Sequence, residues 1–206
     1  MQSPGQLQRV GLVALLAFAA PGWADGGSAI RESDILHTIA IQPFVGVGKG
    51  DIAAAKAAIQ QGFRAKVVVL SHQSLPLSAY YKPRNRYRAE NLLDNLSSRS
   101  RGRKTIGLVS RDISTTLGTR KDWGILGLAR LGGEVGVVST FRIKPDARRS
   151  ERLSKIVLHE LGHTYGQDHC IAPRCLMNDL KGSIKVLDKA GDFCRSCRSN
   201  LRGALK

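Results

Sequence analysis

The sequence predicts an α+β chain, α/β-like in its first half, on three observations. A strand, helix, strand order occupies residues 35–70, a glycine-centred hairpin occupies 125–141, and a histidine-bearing helix leads into a loop-rich lobe that holds all four cysteines. Residues 1–24 read as a signal peptide: a polar start with Arg9, an apolar run over 10–20, then Pro21-Gly22-Trp23-Ala24 with small residues placed for cleavage after Ala24. That run is too short to span a bilayer, and no other segment approaches eighteen apolar residues, so the mature chain is expected to be soluble, without a transmembrane segment. An uncleaved anchor is the alternative reading. Removing 24 residues from 206 leaves 182, enough for one domain over 25–206, with an N-terminal lobe over 25–166 and a C-terminal lobe over 167–206. The leader places the product outside the cell or in the periplasm; without a working leader it is cytoplasmic.

The elements follow from pattern. Residues 35–45 are apolar with β-branched side chains and end near Pro43 and Gly46, a first strand. Residues 51–61 are alanine-rich with Ile52 and Ile59 seven apart, an amphipathic helix. The run Val67-Val68-Val69-Leu70 within 66–70 reads as a buried strand, 86–96 as a second helix and 104–111 as a third strand. Residues 125–131 and 135–141 flank Gly132-Gly133, which suits the tight turn of an antiparallel hairpin. A long helix is expected after Pro145-Asp146, capped by Asp146 and running to about Tyr165, with Leu153, Val157, Leu161 and Tyr165 facing the core at four-residue intervals.

The formal charge of +16 falls to +15 on cleavage, because the leader holds one arginine and no acid. A basic protein therefore remains and weak anionic partners are expected. Much of the charge lies in clusters at 82–88, 99–104, 142–152 and 195–206, which read as solvated surface. Aromatic residues are sparse; apart from Tyr80, Tyr81 and Tyr87 they do not interleave with basic ones, which gives single-strand stacking little support.

The stretch His159-Glu160-Leu161-Gly162-His163-Thr164-Tyr165-Gly166-Gln167-Asp168-His169 carries chemistry. Residues four apart share a helix face, so His159 and His163 can aim two imidazoles at one Zn²⁺ with Glu160 beside them. A continuing helix would put His169 about 15 Å further along the axis. The chain must therefore turn back, and Gly166 is the residue type that accepts the positive φ this requires. Three histidines leave a catalytic zinc one open position for water, Glu160 can take that water's proton, and the result is metal-assisted peptide hydrolysis. The competing reading is a zinc that only cross-links the fold, which would need a fourth protein ligand; inside the motif only Asp168 offers one.

Cys170, Cys175, Cys194 and Cys197 are spaced C-x₄-C and C-x₂-C, the paired short spacings of a closed four-thiolate zinc site. Two disulfides are the alternative in an exported chain, and Cys194-Arg195-Ser196-Cys197 as a redox pair is a third reading without thioredoxin-like surroundings. Met177 reads either as core filling or as a methionine turn flooring a metal site.

From His159 to Cys197 the combined pattern H-E-x-x-H-x-x-G-x₃-C-x₄-C-x-M, then C-x-x-C, resembles the archaemetzincin family of metzincin-clan zinc metalloproteases. Gly127-Leu128-Ala129-Arg130-Leu131-Gly132-Gly133 and residues 135–140 are similar to that family's edge strand and hairpin. The resemblance implies a mixed twisted sheet backed by helices, an active-site helix and a small zinc-stabilised C-terminal lobe. It also implies a catalytic zinc on His159, His163 and His169, Glu160 as general base, a structural zinc on Cys170, Cys175, Cys194 and Cys197, and Met177 as the Met-turn. A secretory leader departs from a family associated with intracellular proteins.

Two functions from different classes follow. The first is a monomeric zinc peptidase, endopeptidase or aminopeptidase, whose peptide or protein substrate extends along the strand near 125–130. The second is a non-catalytic zinc protein whose basic surface binds nucleic acid or anionic polymers.

Overall fold

A computed structural model describes residues 38–99 and 103–206 of the chain, so the expected leader over 1–24 and the start of the expected first strand lie outside the described residues. Strands β1 (Thr38–Pro43), β2 (Lys66–Val69), β5 (Lys104–Val109), β8 (Gly127–Ala129) and β9 (Val135–Ser139) form one mixed sheet in the order β2-β1-β5-β9-β8. The first four run parallel, and β8 returns antiparallel to β9 with Leu128 opposite Val137. The expected hairpin is therefore present.

Period-two alternation divides this sheet between two cores. Ile39, Ile41, Ile106, Leu108 and Val138 face one side, where helices α1 (Lys49–Gly62) and α3 (Arg149–Thr164) pack on them and on each other. Val109, Val135 and Val137 face the other, covered by α2 (Ala89–Ser97). Ala89, Leu92, Leu93 and Leu96 of α2 recur at helical spacing and are all buried. In α3, Leu153, Ile156, Val157 and Leu161 are fully buried, each contributing about 1.5–3 kcal/mol by transfer from water. From residue 175 onward the chain adds to the same core, through Met177, Leu187, Phe193 and Leu201 among others. Two short helices, α4 (Ile184–Lys189) and α5 (Arg195–Asn200), complete this part.

A second sheet, in the order β3-β4-β6-β7, combines β3 (Tyr80–Tyr81), β4 (Arg86–Arg88), β6 (Ile113–Leu117) and β7 (Arg120–Ile125). The chain passes from it to the main sheet at Leu126, so the single strand expected over 125–131 is two strands: Ile125 pairs with Ile113 and Gly127 with Val138.

Three further expectations are corrected. The strand expected to be buried over 66–70 is the outer edge of the main sheet, with Val69 41% exposed, because nothing among the described residues pairs beyond it. The helix expected over 86–96 begins only at Ala89, since Arg86 to Arg88 are held as a strand by pairing with β3 and β6. Asp146 does not cap α3: its carboxylate accepts the Arg148 amide and the Arg152 guanidinium instead.

Two of the basic clusters, 82–88 and 142–152, are less solvated than their composition suggests. Arg86 and Arg142 both bind Asp112, Arg149 binds Asp51, and Arg152, 8% exposed, bridges Asp146 and Asp188. Much of the charge within 82–88 and 142–152 thus ties elements together. No helix among the described residues is long and apolar enough to cross a membrane.

Candidate active site

The last two turns of α3 stack His159 above His163, their Nε2 atoms 3.0 Å apart. His159 Nδ1 lies 2.8 Å from the Leu176 carbonyl and His163 Nδ1 2.8 Å from the Gln167 carbonyl. A carbonyl only accepts, so each Nδ1 carries the proton and each Nε2 presents a lone pair to its neighbour. Burial, reinforced by the neighbouring ring, pushes His159 down to about 3, and burial also lowers His163, so both rings are neutral near pH 7. Two lone pairs converging at this distance call for a cation. Ligands 2.0–2.1 Å from a shared tetrahedral zinc sit about 3.3 Å apart, and the pair fits that geometry.

The third histidine arrives through the turn that Gly166 makes. Gly166 has φ +87°, its amide donates to the His163 carbonyl at 2.9 Å, and the Gln167 amide donates to the Gly162 carbonyl at 3.0 Å. This paired closure ends the helix and reverses the chain, which requires a residue without a Cβ at the left-handed position. The ring of His169 then lies 5.5 and 4.8 Å from those of His159 and His163, and donor atoms of all three fall within 4.8 Å of one another. Among the described residues no fourth His, Cys, Asp or Glu joins them. A structural zinc site is normally closed by four protein ligands, so three fit an open, catalytic site.

Glu160 is 4% exposed and accepts no hydrogen bond from the described residues; burial alone raises it to about 8. Its carboxylate presses against β8 at Gly127, where an added Cβ would stand 2.5 Å from Oε1. Together with the three histidines it lines a cleft of about 510 Å³. Strand β8, an edge strand of the main sheet with no partner on its outer side among the described residues, forms one wall; Asp179 to Gly182 form another; Leu117 and Trp123 of the β6–β7 hairpin extend it. Met177 is fully buried beneath α3, with Sδ 2.6 Å from where a Cβ on Gly162 would be.

The four cysteines form a second cluster. Cys170 Sγ and Cys194 Sγ are 3.7 Å apart, as are Cys175 Sγ and Cys197 Sγ, and all four thiols are free. A disulfide measures 2.03–2.05 Å. Sulfurs 2.3 Å from one tetrahedral zinc lie about 3.8 Å apart, so the donor set suits that ion. The Cys197 backbone amide draws the Cys194 thiol down to about 7, whereas burial raises Cys175 and Cys197.

All the histidine and cysteine candidates are thus brought together in two groups, with Glu160, Gly166 and Met177 around the first. Sequence reading missed the contact between Gly127 and Glu160 and the contribution of the β6–β7 hairpin, neither of which carries a local signal.

Residues 77–203, more than half of the chain, match the profile of Peptidase family M54. The chain belongs to that family, the archaemetzincins. An archaemetzincin from Haloquadratum walsbyi is 33% identical over 165 residues, covering 72% of this chain and 92% of its own. Another, from Methanopyrus kandleri, is 37% identical over 135 residues, covering 64% and 75%. The crystal structure of the Archaeoglobus fulgidus archaemetzincin, complexed with malonate, superposes with a TM-score of 0.68 at 29% identity over 79% of this chain and 99% of that one. The Methanopyrus kandleri archaemetzincin structure gives 0.69 at 29% identity, over 84% and 99%. As an archaemetzincin, this chain is a zinc metallopeptidase.

Proposed function

We propose that the protein hydrolyses an extended peptide laid along β8, with zinc held by His159, His163 and His169 and with Glu160 as general base. The single observation that carries this reading is the convergence of three imidazoles beside a largely buried carboxylate, in a cleft walled by an edge strand of the main sheet. Bound zinc supplies a polarised scissile carbonyl and a water of pKa near 7, and its charge lowers the proton affinity of the adjacent carboxylate toward neutrality.

The chain's own groups do the rest. Free backbone N–H and C=O groups of β8 pair with the substrate backbone as an added strand. Glu160, largely buried in the wall of the cleft, takes a proton from water and passes it to the leaving amine. The Leu176 and Gln167 carbonyls hold two of the rings in the tautomer that presents Nε2. Cys170, Cys175, Cys194 and Cys197 hold a second, structural zinc, giving two per chain, and Met177 acts as the Met-turn. Residues 1–24 direct export to the periplasm or beyond.

The test is hydrolysis of a broad peptide library by metal-stripped protein before and after zinc is returned. Cleavage restored by zinc supports the reading. Salt-sensitive binding of nucleic acid or anionic polymers by zinc-loaded protein that cleaves nothing would favour the non-catalytic alternative.

A further inference from the structure

Lys104 opens β5 in the middle of the main sheet and is only 8% exposed. Burying an ammonium is costly unless its donors are satisfied. Its Nζ donates to the Thr164 carbonyl at 2.7 Å and to the Gly133 carbonyl at 2.7 Å, and it lies 4.9 Å from the centroid of the Tyr165 ring. Both hydrogen bonds go to backbone carbonyls, and Glu134 of the neighbouring turn acts on the ammonium through charge alone. The two carbonyls belong to different parts of the site. Thr164 is the last residue of α3, next to His163, and Gly133 is in the turn that joins β8 to β9. Beside this bridge the Gly132 amide donates to the His163 carbonyl at 2.8 Å.

The cation therefore sits where the carbonyl end of the active-site helix concentrates partial negative charge, and it uses that attraction to hold a second element. The turn is fixed to the helix by two adjacent links, one of them charge-assisted. Because β8 leads directly into this turn, the links add to the direct packing of β8 on α3 in holding the strand edge beside the histidines.

We infer that Lys104 is a positioning residue that clamps the β8–β9 turn to the C-terminal end of α3 and so holds the substrate-binding edge in register with the histidine cluster. The inference rests on the peptidase reading for its consequence and on the Lys104, Thr164 and Gly133 geometry for its existence.

The experiment replaces Lys104→Met in zinc-loaded, full-length protein. Exchange of the Gly132 amide with solvent is expected to quicken by about 10-fold or more, the weight of a hydrogen bond to a charged group, while amides of β1 keep their protection. KM for an extended peptide should rise by about the same factor, whereas the affinity for acetohydroxamate, a zinc ligand too short to reach along β8, should change less than about 2-fold. Lys104→Arg, which keeps the donors, should recover both values. Gly132 exchange unchanged in the variant, or acceleration equal across the whole sheet, overturns the inference. If Lys104→Met does not fold, Lys104→Gln, which retains one donor group, takes the same measurements. Wild-type protein that cleaves no peptide would remove the peptidase reading and leave Gly132 exchange to judge the clamp alone.

Discussion

His169 and Cys170 are consecutive residues that belong to two different donor clusters, one of three imidazoles and one of four thiols. The Cys170 amide also donates to the Met177 carbonyl at 2.8 Å, so the same short segment touches the turn beneath α3. The exposed third histidine therefore depends on the cysteine cluster for its position. Replacing buried Cys197→Ser should lower zinc from two per chain to one or fewer, reduce thermal stability, and weaken retention of the remaining zinc by about 10–100-fold. Elemental analysis with thiol titration under denaturing conditions checks this. Wild-type protein should show two zincs and four thiols, and one zinc with no thiols would mean disulfides stand in place of the second site.

Gly127 faces the Glu160 carboxylate with no room for a side chain. Gly127→Ala should push Glu160 out of line and cost about 100-fold in kcat/KM, since small displacements in the site are expensive. Zinc content should not change, because the three atoms nearest an added Cβ at Gly127 all belong to Glu160. Steady-state kinetics beside metal analysis checks both. Loss of zinc together with activity would assign Gly127 to general packing.

The first turn of α3 is held by Arg152, which binds Asp146 and Asp188. Those hydrogen bonds hold both carboxyls below their ordinary value of 3.8, and Arg148 and Lys155 draw Glu151 down to about 2. A depressed carboxylate pKa stabilises the fold above the unfolded-state value, and that stability is lost as pH falls through the folded-state value. The melting temperature should therefore drop as pH is lowered below about 4, and less steeply in Asp188→Asn. Parallel pH profiles for the two proteins would show that the clamp contributes nothing.

What was legible in the sequence follows from how local each signal is. The i, i+4 histidines, the glycine that ends their helix and the glycine pair between β8 and β9 act within a few residues, and each sits where its spacing placed it. The β6–β7 hairpin was missed because Arg120, Lys121 and Asp122 obscure the strand pattern, although Thr115 and Trp123 pair across it and line the cleft. A run such as Val67-Val68-Val69 shows that a strand forms but not that it ends a sheet. Lys104 gave no signal at all, since its partners are backbone carbonyls 29 and 60 residues away.

The most direct test of the central claim is the turnover of Glu160→Gln, which keeps the side chain's size and removes its proton affinity. The variant should keep its zinc and lose about 10²–10⁴-fold in kcat on any peptide the wild type cleaves. Unchanged kcat in zinc-loaded Glu160→Gln would contradict the account.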